Sequence, residues 1–297
     1  MKKFASKILG PAALSFPTWA YTLFFFVIPV VMVLVYSFGR KPDEFTTVSM
    51  DHLSLDRFGE ALSGTFMRTF GVTVQISVVG TLLCLLIAVP FAYWLAIKVP
   101  AKWRGVLLAV VMVPYWTNFL VRTLGWQIIL SPDGFASKWW QNLAGEPFDI
   151  HYTHAAEQNY VVNNYLPLMI MPLFVAIDTA GTSLREASYD LGAGKFQTFF
   201  KVTMPLAMPG IASGCLLVFV PLMGDYVTAQ VLGGASGSMI GMLIAGQFNT
   251  AQNWALGSAM AVVLILSTLI VVAVAAALLW AGRAIYSRAT RVVLEGA

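Results

Sequence analysis

Six apolar runs, near residues 18–38, 70–97, 106–130, 161–177, 209–223 and 255–282, constrain this chain more than any other feature. A hydrocarbon core about 30 Å thick needs roughly 20 apolar residues in a helix, and these runs are of that scale. In lipid every backbone N–H and C=O must be satisfied within the protein, which leaves helices or a closed barrel. None of the runs alternates polar with apolar residues as a barrel strand does, so helices are expected. Composition agrees. With 58% hydrophobic residues, 11% charged residues and a mean hydropathy of +0.76, the chain lacks the polar surface of a soluble domain. The expected fold class is all-α, a polytopic membrane protein of about six transmembrane helices. No short repeat and no Ser-rich or Pro-rich linker interrupts it, so residues 1–297 read as one transmembrane domain with functional loops.

Charge placement orients the helices. Lys2, Lys3 and Lys7 precede the first run, and Lys98, Lys102 and Arg104 separate the second from the third. Arg185, Lys195 and Lys201 follow the fourth, and Arg283, Arg288 and Arg291 end the chain, whereas residues 224–254 contain no Lys or Arg. The positive-inside tendency places all four basic groups, and both termini, in the cytoplasm. The net charge of +4 and the pI near 9.1 therefore reflect topology and not a nucleic-acid surface, because the cations are dispersed over membrane-flanking loops. The first run is long for a signal-peptide core and lacks an A-x-A site, so it reads as a retained helix. Cys84 and Cys215 fall inside spans and read as small apolar residues, not a disulfide.

Two polar external segments are expected at residues 43–68 and 131–159, the second carrying Trp139 and Trp140 at the membrane interface. Residues 232–248 are glycine-dense, with Gly237 and Gly241 in GxxxG spacing, and read as an irregular external segment with a short re-entrant helix. Chemistry within the chain finds little support. Gly192-Ala193-Gly194-Lys195 resembles a phosphate loop, but Tyr189 stands at the required first Gly and Phe196 at the required Ser or Thr. His151, His154 and Glu157 have helical spacing for a metal site, a weak signal in a polar loop. A membrane enzyme would need a nucleophile, metal cluster or acid/base pair, and a secondary transporter a fuller set of embedded ionisable groups or an inverted repeat. Neither pattern is found.

The most specific motif lies between the fourth and fifth runs. Glu186-Ala187-Ser188 is followed by Asp190 and Gly192, then by Val202, Met204 and Pro205. Residues 184–190 suit a brief helix, Gly192 permits the backbone reversal at a helix end, and Pro205 suits the first turn of the next helix. A patterned loop between two apolar spans reads as a docking surface. The pattern resembles the EAA motif of ABC importer permeases, with Ser188 for the third small residue, Val202 for Ile and Met204 for Leu. The resemblance implies that residues 178–204 form a cytoplasmic coupling loop gripped by an ATPase. It further implies a second homologous permease, two copies of that ATPase, and a periplasmic or lipid-tethered substrate-binding protein. ATP and Mg would be bound by the ATPase, with no cofactor and no nucleotide site in this chain, and the setting would be the bacterial inner membrane.

Longer stretches resemble the polyamine (spermidine/putrescine) branch of that family: residues 113–125 (VPYWTNFLVRTLG), 185–214 and 216–248, the last containing Gly224-Asp225-Tyr226 and Leu232-Gly233-Gly234. A polyamine substrate leads, with ferric ion, opines or other small organic cations as alternatives. On a straight third helix Arg122 lies 18 residues beyond Arg104, about 27 Å. There Tyr115, Asn118, Arg122 and Trp126 would share one face, with Trp116 beside them, as either helix packing or pathway lining. Asp225 is the one acidic residue between Pro205 and the C-terminal tail. At about 24 Å from Pro209 it would lie level with Arg122, either as its counter-ion or as the acceptor of a substrate ammonium with Tyr226 supplying a cation–π face.

Overall fold

The computed structural model describes residues 11–145, 154–232 and 239–295. Among these the regular elements are helices, joined by one isolated antiparallel bridge between Arg40 and Ser49. Five helices are long and apolar enough to span a membrane, six when one bent pair is counted as a span. This agrees with the all-α polytopic expectation. The chain divides into two compact units, Met1–Phe66 with Ile244–Ala297, and Met67–Leu243.

In the first unit, α1 (Pro11–Thr22), a π-helical turn (Leu23–Val27) and α2 (Ile28–Tyr36) run into one another. No residue of the π turn or of α2 is buried, as expected where lipid is the solvent. After α2 the loop is pinned by local hydrogen bonds. Arg40 and Ser49 exchange N–H···O bonds of 3.0 and 2.7 Å, and Asp43 Oδ1 accepts from the backbone of Phe45 and Thr46 at 3.0 and 2.7 Å. The bonds from Thr46 hold the Asp43 carboxyl below its ordinary pKa. A short α3 (Asp56–Ala61) follows. The last helix of the chain, Trp254–Glu295, packs on α2 and α3 and is anchored at its start by Trp254 N–H, which donates to Thr47 O at 3.1 Å.

The second unit is built on α4 (Gly64–Ile97), α5 (Ala101–Trp116), α6 (Phe119–Leu130), α7 (Phe135–Ala144), α8 (His154–Thr179), α9 (Ser183–Asp190), α10 (Lys195–Thr198), a second π turn (Phe199–Thr203), α11 (Met204–Met223), α12 (Val227–Leu232) and the first turn of α13 (Ile240–Asn249), the rest of which belongs to the first unit. Its core joins Cys84, Ala88, Ala92 and Leu95 of α4 to Val161, Met169 and Leu173 of α8 and Val218 and Leu222 of α11. Both cysteines are free, and Cys84 is a core residue. Helices α8 and α11 approach closely because small residues stand at the crossing. A Cβ on Gly210 would meet Pro172 O at 2.5 Å, and one on Gly214 would meet Met169 Sδ at 2.7 Å.

The third apolar run is not one straight helix. Ala101–Trp116 and Phe119–Leu143 meet at an 85° bend. Pro114 removes a backbone donor from the last turn of α5, Thr117 is extended (ψ 154°), and Asn118 caps α6 by accepting from Leu120 and Val121 N–H at 2.9 and 3.4 Å. The 27 Å straight-helix separation of Arg104 and Arg122 is thereby corrected, as is the single polar face of Tyr115, Asn118, Arg122 and Trp126.

Candidate functional site

The segment carrying Glu186, Ala187 and Ser188 is the helix α9, eight residues long, set between two left-handed glycines. Gly181 has φ +70° and Gly192 φ +81°. At the C-terminal end Gly192 N–H donates to Tyr189 O at 2.9 Å and Ala193 N–H to Ser188 O at 3.0 Å. This paired closure is the Schellman arrangement, which satisfies two carbonyls that a free helix end leaves open and needs a residue tolerant of positive φ. Ser188 also ties α9 to α10, its Oγ lying 3.0 Å from Thr198 Oγ1. The hydroxyl residue at the motif's third position thus makes a contact that Ala could not. Glu186, Ala187 and Asp190 are exposed, beside exposed Leu184 (52%), Leu191 (89%) and Phe196 (82%). Two carboxylates and three large apolar side chains thus share one exposed surface.

Pro205 departs from the reading of its sequence. The helix it belongs to begins ten residues earlier at Lys195, and Lys195–Met223 runs continuously for 29 residues. Pro205 has no N–H to give to Lys201 O, and its ring would crowd that carbonyl in a regular α-helix. The π turn Phe199–Thr203 stands immediately before it, closed by Met204 N–H donating to Phe199 O. The wider turn absorbs the proline without a break. At the start of the same loop Arg104 Nη1 meets Asp178 Oδ1 at 2.5 Å and Arg104 Nε donates to Val99 O, tying α5 to the end of α8. That ion pair was not legible from spacing.

Asp225 is 8% exposed and sits between α11 and α12. Its Oδ1 accepts from Val227 and Thr228 N–H, both at 3.1 Å, which caps α12. Its Oδ2 accepts from Thr228 Oγ1 at 2.5 Å and from Tyr165 Oη at 3.2 Å. A carboxylate offers about four lone-pair sites, so protein donors fill this one. Next to it on α8, Tyr160 meets Thr123 and accepts from Asn164 Nδ2 at 2.8 Å. Close by, a Cβ on Gly241 would meet Gly224 O at 2.8 Å, so only glycine lets the start of α13 approach this corner. Thr73 of α4 then accepts Ile240 N–H at 2.8 Å. Sequence reasoning singled out Asp225 and missed Tyr165, Tyr160 and Thr228. The missed signal was local: an Asp just before a helix-forming stretch with Thr three residues on is an N-cap pattern.

Arg122 does not pair with Asp225. Its Nη1 donates to Pro114 O at 2.5 Å, its guanidinium stands 5.9 Å from the centre of the Tyr115 ring, and its buried Nε has no hydrogen-bond partner. Among the described residues the ion pairs are Arg57–Glu60 and Arg104–Asp178. The bend at Asn118 is the physical reason, since it turns α6 away from the axis on which the depth was reckoned. Asn118 is exposed as a cap, Trp126 Nε1 donates to Asn163 Oδ1 at 3.0 Å, and Trp116 (76%) and Tyr226 (46%) project from the surface. His151, with the side chains of His154 and Glu157, lies outside the described residues, as does Gly237. Among the described residues no group of three metal-binding side chains converges.

This architecture is that of a multi-pass membrane protein carrying a short exposed helix between two apolar spans. A crystallised bacterial ABC transporter involved in import of the acidic polysaccharide alginate shares it, with a TM-score of 0.72 at 16% identity over 90% of this chain and 93% of that one. The same alginate transporter in complex with its alginate pentasaccharide-bound periplasmic protein gives 0.71 at 16% identity, over 89% and 91%. Residues 88–284 match the family described as the binding-protein-dependent transport system inner membrane component. The chain belongs to that family and is a multi-pass inner-membrane component of a binding-protein-dependent transport system. It is 36% identical over 246 residues to the spermidine/putrescine transport system permease protein PotB of Salmonella typhimurium (strain SL1344), covering 82% of this chain and 85% of that one. PotB of Escherichia coli (strain K12) is likewise 36% identical, over 82% and 88%. The inner membrane ABC transporter permease protein YdcU of the same strain is 29% identical, over 74% of each chain.

Proposed function

We propose that this chain is the permease of an ATP-driven polyamine importer that takes up spermidine, putrescine or a close relative. The observation that carries the substrate is the 36% identity to PotB sustained over most of both chains. In this reading the chain supplies half of the pathway, a second homologous permease supplies the other half, and two copies of a cytoplasmic ATPase bind ATP and Mg. The exposed α9, with Glu186, Ala187, Asp190 and Leu191, is where the ATPase docks. Both termini and α9 face the cytoplasm, which the placement of Lys and Arg supports. Asp225 holds the corner between α11 and α12 in place, and Tyr226, Trp116 and Tyr115 offer aromatic faces to a cation. The test is uptake of labelled spermidine and putrescine by vesicles containing the assembled complex with ATP inside and binding protein outside. Uptake that requires all components supports the assignment. ATP-driven uptake of ferric ion or an opine in place of polyamine would overturn the substrate, and uptake without an ATPase would overturn the class.

A further inference from the structure

Beneath α9 lies a cavity of about 500 Å³ lined by Lys98, Lys195, Arg185 and Glu186, with Tyr93 and Phe199 at its inner side. Three cations face one carboxylate. Arg185 is 8% exposed, and among the described residues its guanidinium takes part in neither of the ion pairs and in no side-chain hydrogen bond. Lining the same cavity as two lysines, its planar fork suits the oxygens of a phosphate. Tyr93 and Phe199 also line a second, larger groove of about 770 Å³, whose remaining walls are apolar and include Val79, Leu82, Leu86 and Met204. From Val79 to Tyr93 the groove follows α4 for about 21 Å, somewhat more than the ~15 Å depth of one leaflet's hydrocarbon.

A basic pocket opening into a leaflet-deep apolar groove has the shape and polarity of an amphipathic anion. We propose that the two together bind one anionic phospholipid, its phosphodiester on Arg185 with Lys98 and Lys195 and its acyl chains along the Val79–Tyr93 face of α4. A free phosphate would satisfy the cations and leave the groove bare. The headgroup lies directly against the helix that carries Glu186, so lipid charge sets how firmly α9 is seated.

The full chain is reconstituted in phosphatidylcholine vesicles with trace spin-labelled phosphatidylglycerol or spin-labelled phosphatidylcholine, and the motionally restricted fraction of each label is read by electron paramagnetic resonance. A preference for phosphatidylglycerol of roughly fivefold or more is expected, since one membrane-surface cation contributes about that factor. Lys98→Gln with Arg185→Gln abolishes the preference. Val89→Trp, which narrows the groove and leaves the cations, lowers it, and Arg185→Lys retains part of it with the same thermal unfolding. Millimolar inorganic phosphate leaves it unchanged. Equal restriction of the two labels by the wild-type chain, an unchanged preference in the double variant, or competition by inorganic phosphate overturns the proposal. So does a restricted fraction in the assembled complex no higher than that of the double variant, the result expected if a partner's carboxylate fills the pocket. The readout involves no transport, so its failure leaves the importer assignment untouched.

Discussion

Tyr165 donates its hydroxyl to Asp225 across 60 residues of sequence, joining the middle of α8 to the cap of α12. The same carboxylate holds Val227 and Thr228, so one side chain fixes both a helix start and its distance from a neighbouring span. Asp225→Asn keeps the cap acceptor on Oδ1 and replaces the Oδ2 acceptor with a donor that faces two hydroxyls. It is expected to lower stability by about 1–2 kcal/mol, and Asp225→Ala by more. Thermal unfolding of the purified chain reads this directly. Arg122→Gln gives no rescue, because Arg122 bonds Pro114 and not Asp225. Restored stability in the double variant would refute that geometry.

Gly192 governs how α9 ends. At φ +81° any L side chain is strained by about 1–2 kcal/mol. Gly192→Val is therefore expected to leave the chain inserted in the membrane while weakening its association with the ATPase and abolishing ATP-driven uptake. Glu186→Lys should do the same by reversing charge on the exposed face. Normal copurification and substrate-stimulated hydrolysis in both variants would remove α9 as the docking element.

The α8–α11 crossing has no spare room. Gly210→Ala, whose Cβ would meet backbone oxygen at 2.5 Å, should cost about 1–3 kcal/mol. Gly105→Ala, with nothing within 4 Å, is the matched control and should change unfolding little. Equal unfolding temperatures for the two would mean that the crossing relaxes freely.

Asn118 sets the break after α5. Asn118→Ala removes the side-chain acceptor for Leu120 and Val121 N–H and should cost about 1 kcal/mol, whereas Asn118→Asp, which keeps it, should cost less. Distance measurement between labels on α5 and α6 checks the geometry, with a wider interhelix angle expected for the Ala variant alone.

Element identity was legible wherever a run of lipid-compatible residues left the backbone one choice. The spans expected at 70–97 and 255–282 and the α9 helix with its Gly192 ending follow from composition and local turn chemistry, though the first of these helices begins at Gly64, inside the segment read as an external loop. What escaped was the consequence of proline in context. Pro114 lies within a run read as one straight helix, yet with Asn118 behind it the chain bends by 85°. Pro205 reads as a start, yet a π turn ahead of it lets the helix continue. The Asp225 cluster was half legible. Its acid stands out by scarcity, but Tyr165 lies in another span and only packing brings it near.

The helix from Lys195 to Met223 gives the second unit a rod of about 43 Å, running from beside the exposed α9 to the corner held by Asp225. With no loop along its length, a displacement of exposed Phe196 reaches Gly224 through the helix itself, less what the wider turn at Phe199–Thr203 and the interior prolines Pro209 and Pro221 absorb. We expect that turn to act as the compliance of the machine: stiffening it should make the far end answer sooner to ATP, and softening it should let hydrolysis proceed with the pathway unmoved.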